Sequence, residues 1–211
     1  MAIGTVCLKE ALRDRLKDVE CELSMVKCLD LAGRKVKDMP EDCSQLRESR
    51  VVQAVDLTDN KLEEIPPLIF PPDLRILRLT GNNLARLPDD ITAYKNLKEV
   101  SAGANRLTDI QWMFKCRSLL YASMPCNNIR VLPSLVYVKN PELLPLIALD
   151  LSHNSITDLR GTLETLQRLK KLRSLLLQGN PCALQPTYHK VVKVFLPDLH
   201  YLDGVDIKPK E

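Results

Sequence analysis

The sequence predicts an α/β solenoid: a curved parallel sheet on the concave face, loops and short helices on the convex face, an N-terminal helix and a C-terminal cap. Three observations predict it. A phrase of the form LxxLxLxxNxL, clearest in LRILRLTGNNL (74–84), recurs with its asparagine position at Arg34, Asn60, Asn82, Asn105, Asn127, Asn154 and Asn180. The steps between these positions are 26, 22, 23, 22, 27 and 26 residues, the range of a stacked structural repeat. Both ends of the array carry helical apolar spacing of the kind that covers an exposed core.

Taken in order, residues 5–23 set Leu8, Leu12, Leu16, Val19 and Leu23 at steps of three and four between charged residues, which reads as an amphipathic helix lying over the first repeat. Thr5 is its expected N-cap. Each repeat then begins with an apolar triplet such as Leu74/Leu77/Leu79, Leu97/Val100/Ala102 or Leu172/Leu175/Leu177, and places another apolar residue two positions after the asparagine. Roughly five inward side chains per unit are too few to bury themselves, but stacked copies cover one another. The chain turns at the asparagine, where inward-facing backbone groups lack ladder partners. A buried amide side chain supplies both donor and acceptor there. Arg34 cannot act from inside a core, so the first repeat is read as a degenerate edge unit.

Prolines follow Met39, Ile65, Leu87 and Leu132 on the return arc, where a missing N–H breaks no ladder. Two returns are longer. Residues 131–145 contain Pro133, Pro141 and Pro145, which exclude a long helix, whereas 161–172 place Leu163, Leu166 and Leu169 at helical spacing. The basic side chains beside this second return, Arg168, Lys170, Lys171 and Arg173, are read as a solvated face. Trp112 is expected in the core. After Asn180, residues Tyr188, Val191, Val192, Phe195 and Leu196 suit a helix, and Tyr201, Leu202 and Asp203 an edge strand sealing the last coil. The expected division is 1–25 capping helix, 26–181 seven repeats and 182–211 cap and tail, all in one structural domain.

This phrase and its spacing resemble the leucine-rich repeat family over nearly the whole chain. The segment NPCALQPTYHKVVKVFLPDLHYLDG is similar to the C-terminal cap of a subset that includes the spliceosomal A-prime protein, the leucine-rich regulator of protein phosphatase 1 and proteins of cilia and axonemes. Within the cytoplasmic setting that the cysteines and the N-terminal charges lead one to expect, the resemblance of LLLQGNPCAL and the cap that follows it implies a ciliary or axonemal one.

Composition narrows the function. Thirty Lys and Arg against 27 Asp and Glu leave a net charge of +3, too small to imply a nucleic-acid or membrane partner. Aromatic residues are 4% of the chain and do not interleave with basic ones, so direct nucleic-acid binding is not expected. The seven cysteines form no CxxC pair, and charge at Lys9 and Glu10 interrupts any leader-like apolar run. An intracellular, reduced protein with mostly buried cysteines is expected. No nucleophile elbow, phosphate loop, zinc-protease or dinucleotide signature occurs, and the three histidines pair with no nucleophile. The expectation is no enzyme, no cofactor, no metal, no membrane and no small-molecule substrate.

What remains is an open sheet. If Leu77 and Leu79 point inward, Arg78 points out. Stacking then aligns Asp30, Asp56, Arg78, Ser101, Ser123, Asp150 and Leu176, beside a second column of Cys28, Ala54, Ile76, Glu99, Tyr121, Ala148 and Ser174. The candidate partner-binding residues are Ile76, Arg78, Glu99, Tyr121, His153 and Leu176. Small residues at Ala32, Gly33, Gly81, Gly103, Ala104 and Gly179 are expected to keep part of this face shallow, so that a helix or extended segment of another protein can lie across it. The expected function is a non-catalytic protein–protein interaction scaffold, with a structural role in a cilium or axoneme implied by the resemblance. A regulatory subunit of an enzyme such as a phosphatase, or a ribonucleoprotein component acting through a protein partner, is the alternative.

Overall fold

A computed structural model describes residues 6–18, 22–39 and 44–208. The first strand, β1 (Val6–Cys7), leads directly into helix α1 (Leu8–Asp18). Thr5, Val19, Cys21 and Cys43 lie outside the described residues. The start of α1 is held by the Cys7 N–H donating to Glu10 Oε2 at 3.3 Å. Leu8, Ala11 and Leu12 are buried against the first coil, which is what the spacing of three and four requires of a covering helix.

The coils follow one another as β2 (Cys28–Asp30), β3 (Val36–Asp38), the short helix α2 (Ser44–Glu48), β4 (Ala54–Asp56), β5 (Ile76–Arg78), β6 (Glu99–Ser101), β7 (Tyr121–Ser123) and β8 (Ala148–Asp150). Helix α3 (Leu159–Leu166) then precedes β9 (Ser174–Leu176), and helix α4 (Tyr188–Phe195) precedes β10 (Tyr201–Leu202) and β11 (Val205–Asp206). Among the described residues β2 and β4 to β11 form one sheet in chain order, parallel until β11 turns back antiparallel on β10. A separate parallel pair joins β1 to β3 on the far side of the first turn.

Each three-residue strand carries one inward side chain, from Leu29 through Val55, Leu77, Val100, Ala122 and Leu149 to Leu175, and all are buried. The register is one coil per rung: Ile76 faces Glu99, Glu99 faces Tyr121, and Arg78 faces Ser101. At about 1.5–3 kcal/mol per fully buried aliphatic side chain, this shared core outweighs any surface contact in holding the array together.

The asparagine ladder runs through the turns. Asn105 shows the pattern: its Oδ1 accepts from Leu84 N at 3.0 Å, and its Nδ2 donates to Leu79 O at 2.9 Å and Ala102 O at 3.1 Å. Asn60, Asn82, Asn127, Asn154 and Asn180 make the equivalent bonds to their own and the preceding coil, and all are buried. At the C-terminal end a carboxylate takes over. Asp203 Oδ1 accepts from Leu177 N at 2.7 Å and Gln178 N at 2.9 Å, and its Oδ2 accepts from the Tyr188 hydroxyl at 2.9 Å. Burial and the Asp203 carboxylate push the Tyr188 phenol well above its ordinary pKa, so it stays a donor.

Several expectations are corrected. The helix read over 161–172 begins earlier and ends sooner, because Asp158 caps it by accepting from Gly161 N at 3.0 Å and because residues after Leu166 turn toward the next strand. The small residues read as keeping the concave face shallow stand in the turns instead. The residue just before each asparagine has a left-handed backbone: Gly81 at φ 72° and Gly179 at φ 75°, but also Asp59, Ala104, Cys126 and His153. Gly103 is small because a Cβ there would come 2.9 Å from Pro125 Cγ of the next coil. Of the five cysteines among the described residues, only Cys116 and Cys182 are buried, and burial pushes both thiols up to about 11. Cys28 and Cys126 are exposed, on the sheet and in a turn respectively.

Candidate functional site

The concave sheet assembles most of the residues that the repeat pattern selected. Ile76, Glu99 and Tyr121 occupy adjacent rungs of one column, and Arg78 stands in the next column on the same strand as Ile76. Inward alternation of Leu77, Val100 and Ala122 leaves these side chains no choice but the open face. Arg78 lies between two acids, with Nη1 3.7 Å from Asp56 Oδ2 and Nη2 3.6 Å from Glu99 Oε1. Such partly exposed pairs are worth at most about 1 kcal/mol, so an incoming carboxylate can exchange for either.

Acids recur on this face for a local reason. Asp30, Asp56 and Asp150 each accept a backbone N–H two residues on, from Ala32, Thr58 and Ser152, at 2.9–3.0 Å. One carboxylate oxygen closes the turn that ends the strand, and the second is left to the concave side. Leu176 is half-buried in β9, in line with Asp150.

His153 does not join them. It lies beyond the end of β8, exposed, with φ 53° in the left-handed turn row, and its ring packs where a Cβ on Gly179 would meet its Nδ1. Its place in the sequence follows from the turn, which sets it off the sheet.

Tyr201 was assigned to the seal of the last coil, and the structure divides that segment. Leu202 is buried and Asp203 closes the ladder, but Tyr201 is 48% exposed and registers with Ser174 in the column of Tyr121, itself 46% exposed. The signal was present: Leu199 precedes Tyr201 at the offset at which Leu172 precedes Ser174, so one further step of the phrase finds it. Between the two tyrosines the column holds only Ala148 and Ser174. At the strand spacing of about 4.8 Å, the rings stand roughly 14 Å apart over a floor of small side chains, flanked by Leu176.

Among the described residues no group of three or more His, Cys, Asp or Glu could hold a metal ion, and no helix is long and apolar enough to cross a membrane. Trp112 is 4% exposed, inside the core as expected, and its Nε1 has no hydrogen-bond partner among the described residues.

No protein-family model matches the chain. Over 157 residues it is 31% identical to human leucine-rich repeat-containing protein 43, a match that covers 74% of this chain and 20% of that protein. The fold agrees: an internalin C2 from Listeria monocytogenes superposes with a TM-score of 0.57 at 20% identity, covering 80% of this chain and 67% of the internalin. The chain is a leucine-rich repeat protein. This leucine-rich repeat protein spans about a fifth of the length of the curated relatives it matches first. It is also 44% identical over 71 residues to human dynein axonemal assembly factor 1, covering 33% of this chain and 10% of that protein.

Proposed function

We propose that this leucine-rich repeat protein is a non-catalytic interaction scaffold that receives a helix or extended segment of another protein on its concave sheet, in a cilium or axoneme. The observation that carries the reading is the column Tyr121, Ala148, Ser174, Tyr201: two exposed rings bracketing a low floor on an otherwise continuous sheet. Aromatic rings and arginine dominate binding energies where a partner excludes water, because they bring large contact area with few rotatable bonds. Arg78 and Glu99 supply charge beside one ring, and Ile76 and Leu176 add apolar area. The ciliary setting rests on similarity to proteins named for axonemal dynein assembly.

The test is proximity labelling in ciliated cells with the parent chain and with an Arg78→Ala/Tyr121→Ala variant. The proposal expects axonemal or dynein-assembly proteins to be enriched around the parent and lost around the variant, with an unchanged melting curve. Equal enrichment around both would remove the site from this face, and enrichment of only nuclear or phosphatase proteins would remove the ciliary setting.

A further inference from the structure

The edge at which the strands begin carries a charge pattern opposite to that of the sheet. The residues just before the strands, Gln53, Arg75, Lys98, Leu120, Ile147 and Arg173, are joined in one backbone row, each N–H donating to the carbonyl of the residue before it in the row. Around that row stand Lys95, Arg117, Lys170 and Lys171, all exposed. Arg117 Nη2 donates to Lys139 O at 2.7 Å, which brings a further exposed lysine to the stretch where Leu120 and Ile147 interrupt the row. Among the described residues none of Arg75, Lys95, Lys98, Lys170 and Lys171 is in an ion pair. The acids near this rim are Asp73, whose Oδ1 accepts from Asn96, Glu142 in the same return as Lys139, and Asp198.

On the sheet the sign reverses: Asp56 and Asp150 face the concave side at the far ends of β4 and β8, and Glu99 does so at the start of β6, next to Lys98. Unpaired cations along one edge focus a positive potential there, and the neighbouring acids confine an anion to that edge instead of letting it spread over the sheet. A narrow, extended anion fits such a strip. A nucleic-acid duplex laid on the rim would reach across the three-residue strands and bring phosphates against Asp56, Glu99 and Asp150. A single strand would need aromatic rings interleaved with the cations. The rim segments 72–75, 95–98, 117–120, 144–147 and 170–173 contain none.

We propose that the strand-start rim is a second interaction surface, one that docks an acidic polypeptide segment running across the coils. This surface is separate from the concave column and does not depend on it. The basic residues near 168–173 are then the far end of a track that begins at Arg75, not an isolated solvated helix face.

The experiment measures fluorescence anisotropy of a labelled decaglutamate peptide with the full chain and three double variants at low and physiological salt. Lys98→Glu/Lys171→Glu should weaken binding by roughly tenfold or more, with the parent's affinity falling as salt rises. Arg106→Glu/Arg130→Glu, on the turn side, should change it by less than about twofold, and Arg78→Ala/Tyr121→Ala should leave it intact even if it abolishes partner capture on the sheet. All these side chains are solvent-accessible, and circular dichroism checks that each variant folds. The proposal is overturned if the parent does not bind the peptide or the rim variant binds like the parent. Equal weakening by the turn-side pair, or tighter binding of a labelled ten-nucleotide oligoadenylate than of decaglutamate, overturns it as well.

Discussion

In the turn after each strand, six asparagines from Asn60 to Asn180 make the same bonds to two coils, whereas the returns behind them vary in form. One return is the 3-10 helix Gln111–Lys115, another contains the 3-10 turns Leu135–Tyr137 and Pro141–Leu143, and a third is helix α3. The difference is one of unmet demand. At the turn, backbone groups of one coil are buried under the next, so a fixed side chain must satisfy them. On the return the backbone reaches water or bonds locally, and the only requirement is that an apolar residue such as Ile91, Phe114, Leu135 or Leu163 fills the space behind the sheet.

The comparison can be broken most forcefully at the ladder. Asn105→Leu strands the Leu84 N–H and the carbonyls of Leu79 and Ala102, and should cost about 1–3 kcal/mol in urea denaturation. Gly81→Ala comes next, since it forces a side chain into the left-handed backbone and sets a Cβ against the Asp59 carboxylate. A loss of about 1–2 kcal/mol is expected, read from the same denaturation curves. At Ala104, which already holds this conformation, Ala→Gly should not destabilise by more than about 1 kcal/mol.

A separate effect comes from pH. The folded protein keeps the Cys116 and Cys182 thiols protonated with pKa values pushed up to about 11 by burial, against an ordinary value of 9.0. Ionisation therefore favours the unfolded chain as pH rises: this contribution is whole below about 9 and is lost by about 11. The urea midpoint should fall across that window, and a thiol reagent at neutral pH should label Cys28 and Cys126 while sparing Cys116 and Cys182. The smallest effect is on a return. Tyr137→Ala removes a side chain that is 90% exposed and should change stability by less than about 0.5 kcal/mol.

The same contrast explains what could be read from the residues. The two outward columns follow the alternation residue by residue, from Asp30 to Leu176 and from Cys28 to Ser174, because a period of two and a repeated phrase leave one register. The ladder was legible for the same reason. The roles of Gly81, Gly179 and His153 were not, because a left-handed residue has no sequence signature when Asp, Ala, Cys and His also occupy that row. Helix α3 was misplaced because leucine spacing shows a buried face but Asp158 sets the start. Tyr201 was hidden by the cap motif around it, which drew attention to Leu202 and Asp203 as its seal.

Native-state hydrogen exchange tests the stacked ladder most directly. The amides of Val36, Leu62, Leu84, Leu107, Ile129 and Ile156, each donating to an asparagine Oδ1 from the following coil, should exchange as slowly as those of the sheet and should be released together by Asn105→Leu near that rung. If these six amides exchange at the rate of exposed return amides such as Lys139, the coils are not joined through their asparagines.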